Sequence, residues 1–249
     1  MMVKERDIED YEKTYSNHKF EKEMIHYRVK NILEMLDKYK PKKIMEIGCG
    51  IDSVFNHYKS FEKFVVVEPS EAFISKARQD AGNTRNIILV NDFFENAVDG
   101  FKDKDFDFVI FSNLLHEVPD PYGFLLKIKK VLSKNTVLYI NVTNSESFHK
   151  LWAYESGLIK SVNEPSESFK KLQQTSIFNM RSLIEMVNNA GFCVIEKGSY
   201  FIKPFNHEKM FLLMQDGVIS EELLDGLYKM TKYFPENGAE IYLTCKIAK

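Results

Sequence analysis

The hydrophobic residues between positions 43 and 142 form short, nearly continuous runs, and polar residues occupy the gaps between them. Runs rich in β-branched and aromatic residues predict strands. Their almost unbroken apolar character is typical of parallel strands covered on both faces. The predicted strands are 43–47, 64–68, 87–90, 106–111 and 136–142.

Helical patterns lie between these strands. Ser70 is a suitable N-cap for a helix over residues 71–80. Asp120 followed by Pro121 predicts the start of a second helix that continues to about Ser133. Strands that alternate with helices predict right-handed βαβ units. We therefore expect an α/β fold with a doubly wound, mostly parallel, Rossmann-like sheet of seven strands and an antiparallel last strand.

The flanking segments predict additional helices around this sheet. Residues 20–39 form an amphipathic pattern, so 1–40 is expected to be an N-terminal helical cap. Later elements are a helix at 180–190, a strand at 192–201, helical pieces within 207–233 and a last strand at 239–247. We expect one domain over 1–249, in which the polar segment 143–177 and the helical insertion 204–237 form lids over a pocket.

Composition narrows the possible functions. The net charge of −2 gives no strong field for nucleic acid or an anionic membrane surface. Three cysteines without paired spacing argue against a disulfide framework or a zinc site. No apolar run approaches the ~20 residues that span a bilayer, and the first residues lack the apolar core of a signal peptide. We expect a cytoplasmic protein, with its oligomeric state undetermined.

Candidate chemistry begins where the first strand ends. Glu46 is followed by Gly48 and Gly50, and two glycines there let the backbone approach a ligand closely. The phosphate-binding pattern G-x-x-x-x-G-K-[ST] is absent. Ser53 stands where a dinucleotide-binding loop would have its third glycine. The acid at position 46 would repel a pyrophosphate and attract a cation.

These residues resemble the first motif of the class I methyltransferases that depend on S-adenosyl-L-methionine (SAM), an acid followed by three alternating glycines. Asp52 departs from that motif at the third glycine. The resemblance implies SAM as cofactor, with the loop lying against its methionine part. Cys49 would contribute its backbone to that contact, while the carboxylate of Glu46 would favour the positive charge of SAM.

Further motifs follow in the order that this family shows. The resemblance implies that Glu68, beside Pro69, binds the ribose hydroxyls, which a carboxylate can accept as hydrogen-bond donors. It also implies that Asp92 lies beside the adenine amine and Phe93 against the adenine ring. The remaining residues of the expected cofactor site are Asn113 and Leu114 at the methionine end, with Tyr15 and Arg28 covering the cofactor from the N-terminal segment.

Catalysis needs a base if the methyl acceptor is a hydroxyl group, and His116 is our candidate because histidine titrates near neutrality. A structural role for His116 stays open, as does a solvated surface position for Arg28. Lys203 and His207, like His149 and Trp152, are candidates for the acceptor pocket or for ordinary packing. No spacing of potential ligands in the sequence predicts a metal site.

The expected reaction is methyl transfer from SAM to an oxygen or nitrogen atom of a small molecule. The segment after the fourth strand lacks the Asn/Asp-Pro-Pro-aromatic motif of enzymes that methylate base amines. The C-terminal stretch is similar to that of bacterial methyltransferases of surface polysaccharides, which ranks a sugar or nucleotide-sugar acceptor first. Two alternatives stay open: an inactive SAM-binding scaffold, which Asp52 suggests, and an NAD-dependent oxidoreductase.

Overall fold

The computed structural model describes residues 7–101 and 106–248. Its sheet has seven strands in the order β3-β2-β1-β4-β5-β7-β6. Strands β1 to β5 are parallel to one another, and β7 runs antiparallel between β5 and β6. This arrangement confirms the predicted fold class. The strands are β1 (Lys43–Ile47), β2 (Lys63–Val67), β3 (Ile87–Val90), β4 (Phe108–Ser112), β5 (Val137–Thr143), β6 (Phe192–Tyr200) and β7 (Glu240–Ile247).

Helices cover both faces of the sheet and extend beyond its carboxyl edge. Ten α-helices occur in the described ranges: α1 (Ile8–Ser16), α2 (Glu21–Tyr39), α3 (Glu71–Ala81), α4 (Phe94–Ala97), α5 (Pro121–Ile128), α6 (Phe148–Glu155), α7 (Glu167–Lys171), α8 (Met180–Asn189), α9 (His207–Gln215) and α10 (Glu221–Lys229). Short 3-10 helices occupy Val54–Asn56, Val98–Phe101, Lys129–Val131 and Met230–Lys232. No helix in these ranges has the length and apolar character needed to cross a membrane.

Local chemistry explains where several of these elements begin and end. The Ser70 side chain accepts a hydrogen bond from the Phe73 amide and caps α3 as expected. Asp120 caps α5 in the same way, with Pro121 at the first helical position. The expected extension of this helix to Ser133 is wrong, because α5 ends at Ile128 and a 3-10 turn follows.

The polar segment after β5 is also more ordered than its pattern predicted, since it contains α6 and α7. Helix α1 was not predicted either. Its short amphipathic stretch is dominated by charged residues, and of its side chains Tyr15 is buried. Tertiary contacts of this kind are invisible to a local pattern.

The core lies on both sides of the sheet, because successive strand residues point to opposite faces. Met45 and Val65 belong to one buried cluster, while Ile44 and Phe64 belong to the other. A third cluster joins α2 to the segment after β6 through Phe20, Tyr27, Phe201, Met210 and Tyr228. The carboxyl ends of β1, β2 and β4 therefore meet at one edge, with the N-terminal helices and α9 above it.

Candidate active site

The glycine loop after β1 needs residues without side chains. Gly48 has φ of +78° and Gly50 has φ of +55°, in the left-handed region that favours glycine. A Cβ atom on Gly48 would lie 3.1 Å from Cδ2 of Leu114. The backbone of this loop therefore passes close to the segment after β4, whereas its close approach to a ligand stays a prediction.

Glu68 holds this loop from the end of β2. Its Oε2 accepts hydrogen bonds from the amides of Cys49 at 2.9 Å and Gly50 at 3.2 Å. Its Oε1 accepts one from the amide of Ser70 at 2.9 Å. The side chain is 5 % exposed, so these charge-assisted bonds form away from bulk water. The carboxylate expected to bind a ribose thus also joins two strand ends.

Glu46 anchors the turn that follows the glycine loop. Its carboxylate accepts hydrogen bonds from the hydroxyl of Ser53 and from the amide of Val54. Burial raises the pKa of Glu46 to about 8, and the bonds from Ser53 and Val54 act in the opposite direction. Asp52, which replaces the third glycine, contacts His57 at 2.8 Å and Asn56 at 2.9 Å instead.

A cavity of about 770 Å³ opens at this edge of the sheet. Its lining includes every residue of the expected cofactor site except Asp92: Tyr15, Arg28, Glu46, Gly48, Cys49, Gly50, Glu68, Pro69, Phe93, Asn113 and Leu114. The Phe93 side chain is 41 % exposed and lines the cavity. The Asp92 carboxylate instead accepts bonds from the amide of Phe93 and the side chain of Asn96.

Arg28 is buried and crosses from α2 toward the last strand. Its Nε donates to Glu240 Oε2 at 3.0 Å and its Nη2 to Glu240 Oε1 at 2.6 Å, a bidentate pair. The same Nη2 donates to Glu21 at 3.1 Å, and Nη1 donates to the Tyr15 hydroxyl at 3.2 Å. Arg28 is therefore not a solvated helix residue, and its contact with a cofactor carboxylate stays a prediction.

A second cavity of about 660 Å³ adjoins the first, and Arg28 and Asn113 line both. Asn113 has φ of +52°, an uncommon conformation for a residue other than glycine. Its Oδ1 atom is buried and has no hydrogen-bond partner within the described structure. Its amide donates to the Asn141 carbonyl at 2.9 Å, which fixes the backbone at the junction of the cavities.

The wall of the second cavity combines aromatic and titratable side chains. Trp152 and Phe205 lie with ring centroids 5.3 Å apart. Burial lowers the pKa of Lys203 to about 8 and, with the charge of Lys203 nearby, that of His207 to about 4. His149 also lines this cavity. Four candidates for the acceptor pocket thus surround a single space.

His116 occupies a different position from the cofactor-site residues. Its side chain is fully buried and is not in the lining of either cavity. Its Nε2 lies 3.9 Å from Oε1 of Glu117, which does line the first cavity. Its carbonyl accepts bonds from the amides of Thr175 and Ser176. The role of His116 as a base stays a prediction.

Sequence reasoning missed three residues of the second cavity, His18, Glu21 and Glu240. His18 and Glu21 are three residues apart at the start of α2. This spacing was the one signal in the sequence that the two side chains lie together. Glu240 follows a loop at the start of the last strand, and no local pattern links it to Arg28.

Comparisons with known proteins agree with this geometry. The family model described as a methyltransferase domain matches residues 18–197. An uncharacterized protein of Methanocaldococcus jannaschii is 25 % identical over 193 residues, which are 77 % of this chain and 82 % of that protein.

Solved structures of low identity share the fold. A SAM-dependent methyltransferase of Thermotoga maritima, described as a possible histamine N-methyltransferase, matches with a TM-score of 0.58 and 20 % identity, over 96 % of this chain and 98 % of that one. The plantazolicin methyltransferase BamL, solved with a substrate analogue and S-adenosylhomocysteine (SAH), matches with a TM-score of 0.57 and 16 % identity, over 97 % of each chain. Because the family match covers more than half of its residues, the chain belongs to the methyltransferase domain family and is a SAM-dependent methyltransferase.

Proposed function

We propose that this enzyme binds SAM in the first cavity and transfers its methyl group to an oxygen or nitrogen atom of a small molecule bound in the second. The observation that supports this division is the shared wall, since Arg28 and Asn113 line both cavities. A methyl group passing between two bound molecules needs such a junction. The sizes of the two spaces suit small ligands.

The chemical groups that line the first cavity suit the parts of SAM. Gly48 and Gly50 line the first cavity with backbone atoms, and the exposed ring of Phe93 would offer a stacking surface for adenine. Glu68 would accept hydrogen bonds from the ribose diol while keeping its bonds to the loop. Tyr15 from α1 would cover the cofactor, since it lies beside Gly50.

Asn113 is our candidate for orienting the acceptor. Its unpartnered Oδ1 would accept a hydrogen bond from the acceptor O–H or N–H and so direct the lone pair of that atom toward the first cavity. SAM held by the residues of the first cavity would supply an electrophilic methyl group. The acceptor atom would bond to the methyl carbon as the C–S bond broke with its electron pair on sulfur, and the acceptor proton would pass to His116, the proposed base, or to water. The protein contributes alignment, which can account for a large part of the rate.

A sugar or nucleotide sugar is the acceptor class that the second cavity suits best. The half-exposed Trp152 and the neighbouring Phe205 provide apolar faces for the C–H side of a sugar ring. The hydroxyl of Ser145, which has no hydrogen-bond partner among the described residues, would supply a polar atom for one of its hydroxyls. Segments 143–177 and 204–237 both contribute to this wall, which supports our proposal that they form lids within one domain.

Two measurements test the cofactor site and the acceptor class separately. Calorimetric titration of the full chain with SAH, with NAD as control, should show binding of SAH and none of NAD. Methyl transfer from labelled SAM should then be detected with sugars or nucleotide sugars and not with quinone-like metabolites. Absence of SAH binding would contradict the cofactor site, whereas SAH binding with methylation of the quinone-like set alone would contradict the acceptor class.

A matched pair of variants tests the second cavity. Trp152→Ala should raise KM for the acceptor about fivefold, because loss of a stacked ring face costs about 1 kcal/mol, and should leave SAH affinity unchanged. Tyr154→Ala is the control, since Tyr154 is an exposed aromatic residue of the same helix outside the lining. Equal KM values in the two variants would place the acceptor elsewhere.

A further inference from the structure

Three potential metal ligands converge on one wall of the second cavity: His18, Glu21 and His207. Oε2 of Glu21 lies 4.0 Å from Nδ1 of His18 and 3.6 Å from Nε2 of His207. All three ligand atoms lie within 4.8 Å of one another. Phe20, with φ of +64°, makes the turn that places His18 and Glu21 on the same side.

Both histidine nitrogens that face Glu21 lack a hydrogen-bond partner among the residues that the structure describes. His18 Nδ1 and His207 Nε2 are buried, and their separations from Oε2 are too long for hydrogen bonds. A buried polar atom without a partner costs about 1–3 kcal/mol. Two such atoms that point at the same carboxylate oxygen indicate a missing partner between them.

The other ring nitrogen of each histidine and the other carboxylate oxygen of Glu21 do have polar contacts. His18 Nε2 lies 3.1 Å from the hydroxyl of Ser168, and His207 Nδ1 lies 3.1 Å from Nζ of Lys203. Glu21 Oε1 accepts a hydrogen bond from Arg28. A metal-binding histidine usually donates its other ring N–H to an acceptor, a role that the Ser168 hydroxyl can fill for His18. Lys203 Nζ is a donor, so its contact with His207 Nδ1 opposes that arrangement.

We propose that His18 Nδ1, Glu21 Oε2 and His207 Nε2 bind a divalent first-row transition metal, with at least one coordination position open to the second cavity. Bonds of about 2.0–2.1 Å in tetrahedral geometry place ligand atoms about 3.4 Å apart. The two measured separations exceed this value by less than 1 Å. Two imidazoles and one carboxylate suit Zn²⁺, Co²⁺ and their neighbours.

Lys203, Lys171 and Arg28 are cationic groups that oppose a metal here, and Glu21 and Glu240 offset them. The positive charge of Lys203 acts most directly against the metal, because its Nζ contacts Nδ1 of His207, the ring nitrogen that would not bind the metal. Replacing it by glutamine removes the opposing charge and supplies an oxygen that can accept from His207 Nδ1–H. This substitution should therefore strengthen metal binding, which a merely structural cluster would not show.

The three ligands can bind a metal whether or not the protein transfers a methyl group. The role that we give the metal, which is to hold the methyl acceptor, rests on the proposed function. A metal with an open position would hold an oxygen or nitrogen atom of the acceptor and lower the pKa of a bound hydroxyl. His18 and Glu21 belong to the N-terminal cap, while His207 begins α9. The metal would therefore also join these two segments above the second cavity.

The test uses the full chain after chelation and titration with Co²⁺, followed by its visible absorption bands, with Zn²⁺ as competitor. We expect saturable binding in the wild type and a loss of affinity of about 100-fold or more in His207→Gln and in His18→Gln. His26→Gln, at an exposed histidine of α2, should bind like the wild type. Lys203→Gln should bind more tightly.

SAH titration of the same samples distinguishes the possible failures. Variants that retain SAH affinity but lose Co²⁺ binding support the metal site and exclude unfolding. Wild-type protein that binds SAH but not Co²⁺ would overturn the metal proposal and leave the proposed function intact. Equal Co²⁺ affinities in the wild type, His18→Gln and His207→Gln would also overturn it.

Discussion

The carboxylate of Glu68 accepts a hydrogen bond from the backbone amide of Cys49 at 2.9 Å, which ties the end of β2 to the glycine loop after β1. One side chain thus shapes the loop and faces the space proposed for the ribose. Because both contributions depend on its carboxylate, its removal should affect binding more than the loss of a single surface charge.

Glu68→Ala should weaken SAH binding by about 1–3 kcal/mol, the range for a lost charged hydrogen bond. Titration calorimetry measures this change. Glu62→Ala is the control, since Glu62 is an exposed acid just before β2. Identical dissociation constants for the two variants would show that Glu68 does not contact the ligand.

Gly48→Ala should lower both stability and SAH affinity. Its φ of +78° costs an alanine about 1 kcal/mol, and the added Cβ would meet Leu114 at 3.1 Å. Gly217→Ala shares the left-handed φ, but its Cβ would enter open space. Urea unfolding should show destabilisation in both variants, whereas SAH titration should show weakening in Gly48→Ala alone.

Asn113→Gly should lower turnover about 100-fold while leaving SAH affinity unchanged, because the contact expected of Asn113 at the methionine end is made by its backbone, which glycine retains. Glycine keeps the left-handed backbone and removes the Oδ1 atom that we assign to the acceptor, so the loss is one of alignment. Gln173→Gly is the matched control, because Gln173 has the same φ of +52° and lines neither cavity. Steady-state kinetics would contradict this role if both variants kept full turnover.

Glu46 should make stability depend on pH in the free protein. Burial raises its pKa from 4.5 to about 8, so the folded state retains a proton that the unfolded state has lost. Its contribution to stability is complete below pH 4.5 and is lost as the pH rises toward 8. The free energy of unfolding, relative to that of Glu46→Gln, should fall by up to about 1.4 kcal/mol per pH unit in this window. A constant difference between the two proteins would exclude this effect.

His116→Asn should lower turnover about 100-fold, with SAH affinity preserved, if His116 acts as the base. His116 lies behind Glu117, a residue of the cavity lining. Catalytic contacts often tighten when substrates bind, so this position is compatible with a role as the base. His26→Asn serves as the control, and full activity of His116→Asn would assign His116 a structural role.

Local sequence signals predicted which residues gather around the first cavity. Gly48 and Glu68 stand directly after apolar runs, so their place at the edge of a parallel sheet follows from the strand pattern. Arg28 could not be placed in this way, because its partner Glu240 lies 212 residues away. The cluster around Glu21 depends on the same long-range packing, since His207 comes from α9.

The position of β7 has a consequence for synthesis of the protein. This strand inserts between β5 and β6, and its first residue, Glu240, supplies the carboxylate that holds Arg28. Strands β1 to β5 can pair in the order in which they leave the ribosome, whereas β6 must wait for its neighbour. The wall between the two cavities is therefore completed late, so a partly synthesised chain carries the glycine loop without the completed second cavity.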